Sequence, residues 1–169
     1  LGANDAPFAG DQQQTLASHG TKISWHDSFD DVPPGFLLIA ANELFDAIPI
    51  RQFVKTPQGF RERVVAMDAQ DDLIFTTGLA SIDPDLLPPL PERQPIGTIF
   101  EYSPAREAVM TAIAQRLKSQ GGVALIIDYG YIVSGFGDTL QALRMHEYDP
   151  VLAHPGEADL TSHVDFESL

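Results

Sequence analysis

Two short apolar runs restrict the folds open to this chain more than any other feature of its sequence. The first is "FLLIAA" at residues 36–41 and the second is "VALII" at residues 123–127, each apolar at consecutive positions. Strands with this pattern are typical of parallel sheets, in which both faces of a strand are covered by helices. The sequence therefore predicts an α/β fold built around a parallel pair of strands.

A helix precedes the second run, as a connection between parallel strands requires. The segment "SPAREAVMTAIAQRLKSQGG" begins with Ser103, a good N-cap residue, and places Pro104 in the first turn. Gly121 follows the last turn, where glycine commonly ends a helix. Because ligands bind at the carboxyl ends of the strands in such sheets, we expect the functional site at that edge.

An antiparallel region interrupts the α/β pattern. The segments "IRQFVKT" and "FRERVVAM" alternate apolar and polar residues on either side of "PQG", which predicts a β-hairpin, and "DLIFTTG" suggests a third antiparallel strand. We therefore divide the chain into three regions. Residues 1–50 are a partial core, residues 51–97 are an inserted hairpin and proline-rich loop that form a candidate substrate region, and residues 98–169 are the rest of the core with a loop-rich lid.

The charge balance argues against some classes of partner. The 169 residues include 24 acidic and 10 basic side chains, for a formal net charge of −14. A surface this acidic repels phosphate backbones and anionic membranes, so we expect no nucleic-acid partner and favour a basic protein segment. An acidic surface that serves only solubility is an equal alternative. No run approaches the roughly 20 apolar residues of a membrane helix, and the absence of cysteine excludes disulfides and thiolate zinc sites.

Acidic and polar residues follow both apolar runs. Asn42, Glu43 and Asp46 come after the first run, and Asp128 and Tyr129 come directly after the second. In a doubly wound sheet these strand ends share one edge, so both groups are expected to face one crevice. Carboxylates there can hold a cation, accept a proton or bind a hydroxyl or ammonium group. The alternative is that Glu43 and Asp46 only begin a helix, where acids favour the positive end of the dipole.

The histidines give no comparable signal. The spacing of His146, His154 and His163 matches no compact ligand motif, and no HExxH occurs. We expect these residues to lie at the surface or to anchor loops, and we predict no metal site. A metal-dependent hydrolase that uses these three histidines is the corresponding alternative.

Several blocks of the sequence together resemble the MidA-like methyltransferases, a family that includes a mitochondrial complex I assembly factor acting as a protein-arginine methyltransferase. The blocks include "FLLIAANELFDAIPIRQF", "ALIIDYGY" and "HPGEADLTSHVDF", and they keep their order along the chain. The resemblance implies an S-adenosylmethionine-dependent enzyme with a Rossmann-like class I methyltransferase sheet that carries the hairpin as an insertion. It makes Lys22–Trp25 the third strand of that sheet, Phe36–Ala41 the fourth and Val123–Asp128 the fifth.

The resemblance also implies roles for individual residues. The implied contacts with S-adenosylmethionine are made by Asp27, Ser28, Asn42 and Glu43. The implied catalytic residues are Glu43, Asp46 and Asp128. A guanidinium is a poor nucleophile while its lone pairs are delocalised, and a pair of carboxylates can orient it and concentrate electron density on one nitrogen.

Two parts of the family pattern are not found in this sequence: the glycine-rich cofactor loop after the first strand and the acidic end of the second strand. We therefore interpret the chain as a fragment and expect it to bind the cofactor poorly by itself. A non-catalytic assembly or binding module of the same fold, which recognises a basic partner, is the alternative function. The resemblance implies a cytoplasmic location in a bacterium or the mitochondrial matrix in a eukaryote, and the sequence leaves open whether the chain forms a homo-oligomer.

Overall fold

A computed structural model describes residues 14–17 and 23–169 of the chain. The chain divides into two compact units, residues 1–36 and residues 37–169. In the first unit, residues 14–16 are helical and Phe29–Asp31 form one turn of 3-10 helix. Ser28 caps this turn, because its hydroxyl oxygen accepts a hydrogen bond from the backbone N–H of Asp30 at 3.2 Å.

The strand predicted at Lys22–Trp25 is wrong where it can be checked. Lys22 lies outside the described residues, and residues 23–26 have no regular secondary structure. A strand persists only when its backbone groups pair with a neighbouring strand. Among the described residues, no strand pairs with this segment, so its apolar residues alone do not make it a strand.

The second unit, whose residues are all described, contains several small sheets and one long helix. Its strands and helix are, in chain order, β1 (Leu37–Asn42), β2 (Arg51–Thr56), β3 (Gly59–Met67), β4 (Leu73–Ser81), β5 (Ile99–Tyr102), α1 (Pro104–Gln120), β6 (Gly122–Ile127), β7 (Gly130–Tyr131), β8 (Gln141–Arg144), β9 (Glu147–Asp149), β10 (Asp159–Thr161) and β11 (Val164–Asp165). Two further turns of 3-10 helix lie at Pro84–Leu86 and Pro91–Arg93.

The two apolar runs form the predicted parallel pair. β1 and β6 are hydrogen-bonded in parallel, from Leu37 opposite Gly122 to Asn42 opposite Ile127. The helix α1 precedes β6 and packs against it, with Ser103 as its N-cap and Gly121 as its C-cap, as predicted. The carboxyl ends of both strands therefore reach the same edge of the sheet.

The parallel pair differs from the prediction, because the described residues cover it on one face only. Leu38, Val123 and Leu125 point to the same side and are 80%, 61% and 59% exposed. The strands were expected to be buried on both faces because parallel sheets usually lie between two layers of helices. Among the described residues, only α1 is long enough to cover a sheet, and one helix covers one face.

The strands β2, β3 and β4 of the inserted region form a four-stranded antiparallel sheet with β5, which follows that region, in the strand order β4-β3-β2-β5. The predicted hairpin of β2 and β3 is present, and β4 is the third antiparallel strand. The sequence did not reveal β5, which pairs with β2 and has only four residues. Phe53, Phe60 and Phe100 are buried in the core of this sheet, and Phe136 stacks on Phe60 with ring centroids 5.5 Å apart.

The segment after β6, predicted to be a loop-rich lid, contains short strands. β8 pairs with β9 and β10, and β11 pairs in parallel with β7. Val164 and Ser162 are 0% and 2% exposed, so this segment is seated firmly in the unit. The approach of β11 to β7 is so close that a side chain at Gly130 would collide with the carbonyl oxygen of Val164.

Arg106, a buried residue of α1, joins three parts of the second unit. Its Nη1 donates to the carbonyl oxygen of His163 at 2.7 Å, and its Nη2 donates to the carbonyl oxygen of Asp46 at 3.1 Å and to the hydroxyl of Ser162 at 2.7 Å. Burial lowers the pKa of this guanidinium from its ordinary value, and nearby acids oppose that effect. The helix is thus tied to the turn after β1 and to the segment before β11.

We predict that Arg106→Lys lowers the free energy of unfolding by about 3 kcal/mol or more, because one ammonium group cannot reach all the acceptors of the guanidinium fork. Urea denaturation measures this change. Arg116→Lys is the matched control in the same helix, since the Arg116 Nε donates to Gln120 only one turn away. We expect it to change stability by less than about 0.5 kcal/mol, and equal effects of the two variants would contradict the role given to Arg106.

Candidate functional site

Glu43 lies where the chain leaves β1. Its backbone N–H donates to the carbonyl oxygen of Ile127 at 2.8 Å, which extends the parallel ladder by one bond. Its φ is +49°, a left-handed conformation that costs a residue with a side chain about 1–2 kcal/mol. The side chain is exposed. Backbone strain of this kind concentrates at functional sites, so the position favours a role for the carboxylate.

Asp128 holds the turn that follows Glu43. Its Oδ2 accepts hydrogen bonds from the backbone N–H groups of Phe45 and Asp46, at 2.9 and 3.2 Å. Its Oδ1 accepts one from the N–H of Tyr129 at 3.0 Å. Both oxygens are therefore engaged by the backbone, and Asp128 positions the turn. A direct catalytic contact by Asp128 stays a prediction.

Asp46 and Tyr129 form a hydrogen-bonded pair. Asp46 is 5% exposed, and its Oδ2 accepts a hydrogen bond from the Tyr129 hydroxyl at 2.7 Å. The other oxygen, Oδ1, is buried without a hydrogen-bond partner among the described residues. Burial raises the pKa of Tyr129 above its ordinary value, and the neighbouring Asp46 carboxylate adds to the rise. The phenol therefore remains a donor at neutral pH.

A cleft of about 590 Å³ opens beside this pair. Its polar lining includes the carboxylates of Glu43, Asp46 and Asp159 and the rings of Tyr129 and His163. These two rings meet edge to face with centroids 5.5 Å apart. No lysine or arginine is among the described residues that line the cleft. Its electrostatic character therefore favours a cationic group.

The structure brings together some of the predicted site residues. Glu43 and Asp46 line one cleft, Asp128 holds the turn between them, and Asn42 is exposed next to Glu43 at the end of β1. The predicted cofactor contacts of Asp27 and Ser28 belong to the first unit. Both are exposed, and the Ser28 hydroxyl caps the 3-10 turn. Their roles toward a cofactor stay predictions.

The contribution of the lid to this site was not predicted from the sequence. Asp159 and Thr161, in β10, line the cleft, and Arg106 holds the neighbouring segment from the other side. The signal for the lid was the alternation of apolar residues in "ADLTSHVDF", which shows that the segment is partly buried. The sequence contains no corresponding signal that Arg106 is buried, because arginine on a helix is usually exposed.

The histidines that the structure describes are not grouped as a metal centre. Across residues 14–17 and 23–169, no group of three or more histidines and acids is arranged to hold a metal ion. His154 instead lies 2.6 Å from Asp149, between its Nδ1 and a carboxylate oxygen, and Arg144 contacts the same carboxylate. This is the loop-anchoring role predicted for a histidine.

Comparison with known proteins agrees with the family predicted from the sequence. A family described as "Putative S-adenosyl-L-methionine-dependent methyltransferase" matches residues 5–169. The chain belongs to this family. It is 38% identical over 156 residues to the mitochondrial protein arginine methyltransferase NDUFAF7 of Mus musculus and 36% identical over 156 residues to that of Homo sapiens. The matches cover 91% of this chain but 35% and 34% of those relatives, so the chain spans about a third of their length.

Solved structures confirm the fold class. A superfamily member from Burkholderia thailandensis crystallised with S-adenosyl-homocysteine superposes with a TM-score of 0.71 and 21% identity, covering 99% of this chain and 44% of that one. A second, native structure from the same organism gives a TM-score of 0.72 and 22% identity, covering 95% and 45%. The predicted α/β fold, an incomplete Rossmann-like sheet with an antiparallel insertion, is therefore confirmed. No helix among the described residues is both long and apolar enough to cross a membrane.

We predict that Tyr129→Phe lowers the free energy of unfolding at neutral pH by about 1–3 kcal/mol, because it removes the donor to a buried carboxylate oxygen. Urea denaturation provides the measurement. Tyr148→Phe is the control, since Tyr148 is 79% exposed. Loss of its hydroxyl should leave stability within about 0.5 kcal/mol of the parent chain, and an unchanged stability of Tyr129→Phe would show that the hydrogen bond to Asp46 does not stabilise the fold.

Proposed function

We propose that this chain forms part of an S-adenosylmethionine-dependent methyltransferase that methylates an arginine of a protein partner. The observation that carries the proposal is the placement of Glu43, an exposed carboxylate in a left-handed turn at the carboxyl edge of β1, in one cleft with the buried carboxylate of Asp46. The names of the relatives, protein arginine methyltransferases, support the same reaction.

The residues of the cleft fit a guanidinium substrate. A carboxylate accepts two parallel N–H bonds from a guanidinium, which fixes its plane and orientation. Glu43 is exposed and lines the cleft, and Asp46, which accepts a hydrogen bond from Tyr129, lines the same cleft. Holding the guanidinium in this way favours a lone pair on one nitrogen, and a nearby carboxylate can accept the proton that this nitrogen loses.

The cofactor fits the same edge of the sheet. S-adenosylmethionine, when bound, supplies an electrophilic methyl group on a positively charged sulfur. The exposed side chains of Asn42 and Glu43 offer oxygen acceptors at the end of β1, where ligands of α/β sheets bind. We propose these two residues as contacts for the ammonium end of the cofactor, and Asp27 and Ser28 as contacts for its adenosine end.

The proposed partner is a protein with a basic, arginine-bearing segment. The net charge of −14 favours association with such a segment and disfavours nucleic acid. The strands β2, β3 and β4, within the proposed substrate region of residues 51–97, form a second surface for contact with such a partner. The relatives named above are mitochondrial proteins, and we propose the mitochondrial matrix for a eukaryotic source and the cytoplasm for a bacterial one.

We expect S-adenosylhomocysteine to bind more weakly to this chain alone than to a longer form of the protein that carries the glycine-rich loop of the family. The reason is that the glycine-rich loop of the family is not among these residues. Calorimetric titration of both proteins measures the difference. Binding by neither protein would contradict the methyltransferase proposal and favour a binding module of the same fold.

We expect Glu43→Gln to reduce methyl transfer to an arginine peptide by about 100-fold or more, because the neutral amide neither pairs with the guanidinium nor accepts its proton. The assay measures transfer from S-adenosylmethionine with the longer protein. A parallel titration measures its affinity for S-adenosylhomocysteine, which should fall by a much smaller factor than the rate, because Asn42 remains as a contact for the ammonium end. Glu157→Gln removes another exposed carboxylate, outside the cleft, and should leave the rate unchanged. Equal rates for both variants would remove Glu43 from the mechanism.

A further inference from the structure

The hairpin of β8 and β9 has an unusual turn at its tip. Arg144 pairs with Glu147, so Met145 and His146 form a two-residue loop. Their φ angles are +54° and +66°, which is the geometry of a type I′ turn. Asn-Gly is the favoured sequence for this turn, because both positions require a left-handed backbone. Methionine and histidine are poor choices for it, so the turn is maintained against local preference.

The same two residues line the acidic cleft. Met145 and His146 contribute to its wall together with Glu43 and Asp46. Met145 is 85% exposed, and Tyr148 beside it on β9 is 79% exposed. The apolar side chain of Met145 therefore gains little from packing in the second unit. Its location beside the carboxylates is what distinguishes it from other exposed apolar residues.

The buried Asp46 independently marks this cleft as a ligand site. Asp46 is 5% exposed, and its Oδ1 has no hydrogen-bond partner among the described residues. A buried carboxylate oxygen without a donor is costly unless a ligand or water supplies one. The cleft of about 590 Å³ lies within the range of about 300–1,000 Å³ typical of whole small-molecule ligands. A guanidinium would therefore leave room for the residues next to it.

We propose that the tip of this hairpin, Met145 and His146, contacts the residues that flank the acceptor arginine and so determines which protein segments are accepted. This inference rests on the proposed function, since it takes the arginine of the substrate to lie at Glu43. The carboxylates recognise the guanidinium, and the flexible thioether of Met145 packs on apolar flanking side chains. Exposed methionines suit this task, because they adapt to partners of different shape.

The double variant Met145→Asn/His146→Gly tests whether Met145 and His146 contact the substrate or are only tolerated in an unfavourable turn. It installs the sequence that the turn prefers, so it should stabilise the hairpin in either case. Only a side chain that contacts the substrate predicts a simultaneous loss of binding. Stability and affinity are therefore expected to move in opposite directions, and misfolding cannot explain that result.

The experiment titrates two ligands into the full chain and its variants by calorimetry: a short peptide with one central arginine between two leucines, and N-acetyl-arginine amide. We expect the double variant to bind the peptide about tenfold more weakly, the effect of losing one good anchor residue. Its affinity for N-acetyl-arginine amide should not change, and its urea midpoint should rise. Asp71→Gly is the matched control, because Asp71 also has a positive φ, of +63°, in a turn that does not line the cleft. It should raise stability and leave both affinities unchanged.

The outcomes distinguish the two proposals. If Glu43→Gln weakens both ligands while the double variant binds the peptide as the parent does, the hairpin proposal fails and the proposed function stands. If the double variant loses affinity for both ligands equally, the hairpin affects the shape of the cleft and does not contact the residues that flank the arginine. The hairpin proposal then fails. If the parent chain binds neither ligand, or binds them independently of Glu43, the proposed function fails and the hairpin proposal fails with it.

Discussion

The arrangement of the second unit depends on the burial of one positive charge. The guanidinium of Arg106 lies away from water, where a charged group is tolerated only when hydrogen bonds and opposite charges surround it. Backbone carbonyls of Asp46, Ser162 and His163 supply most of the hydrogen bonds. Glu101 and Asp128 are the leading charges that favour its ionised form. Segments far apart in sequence must therefore converge on α1, because the charge is costly to leave unpaired.

The same convergence explains why the acids at this edge of the sheet have different roles. Asp128 and Arg106 both bind the backbone of the turn after β1. The Asp128 carboxylate accepts hydrogen bonds from N–H groups of the turn, and the Arg106 guanidinium donates one to a carbonyl oxygen of the turn. The turn is thus fixed without using the side chain of Glu43. A chain that held this turn through Glu43 would have no free carboxylate at the strand end. Fixing the backbone with other residues is a physical condition for a reactive side chain that is both placed and available.

The long elements of this fold could be predicted from the sequence and the short ones could not. The runs at residues 36–41 and 123–127 predicted the parallel pair, because continuous apolar runs of that length are typical of strands in parallel sheets. The strands after residue 128 have two to four residues each, too few to display a period. The segment at residues 23–26 carried apolar residues without pairing as a strand, since pairing depends on neighbours that a local pattern does not reveal.

The acidic residues of the site were predicted from the sequence, but the residues that hold them in place were not. Glu43, Asp46 and Asp128 were identified because carboxylates at strand ends are unusual and the family resemblance gave them roles. Their division into an exposed acid, a buried acid and a backbone anchor follows from three-dimensional contacts that no spacing rule contains. The contributions of Arg106 and of the lid depend on contacts between distant segments, such as the bond between Arg106 and Ser162.

Gly130 shows how the absence of a single atom can determine the position of a distant group. A side chain there would displace Val164, and Ser162 and His163 precede Val164 directly in the chain. Their carbonyls would then move away from the guanidinium that requires them. Substitution of Gly130 would thus act on the turn after β1 through two intervening contacts. Gly130 therefore affects the shape of the cleft although it is not one of the residues that line it. A mutational scan restricted to the lining residues would not include it.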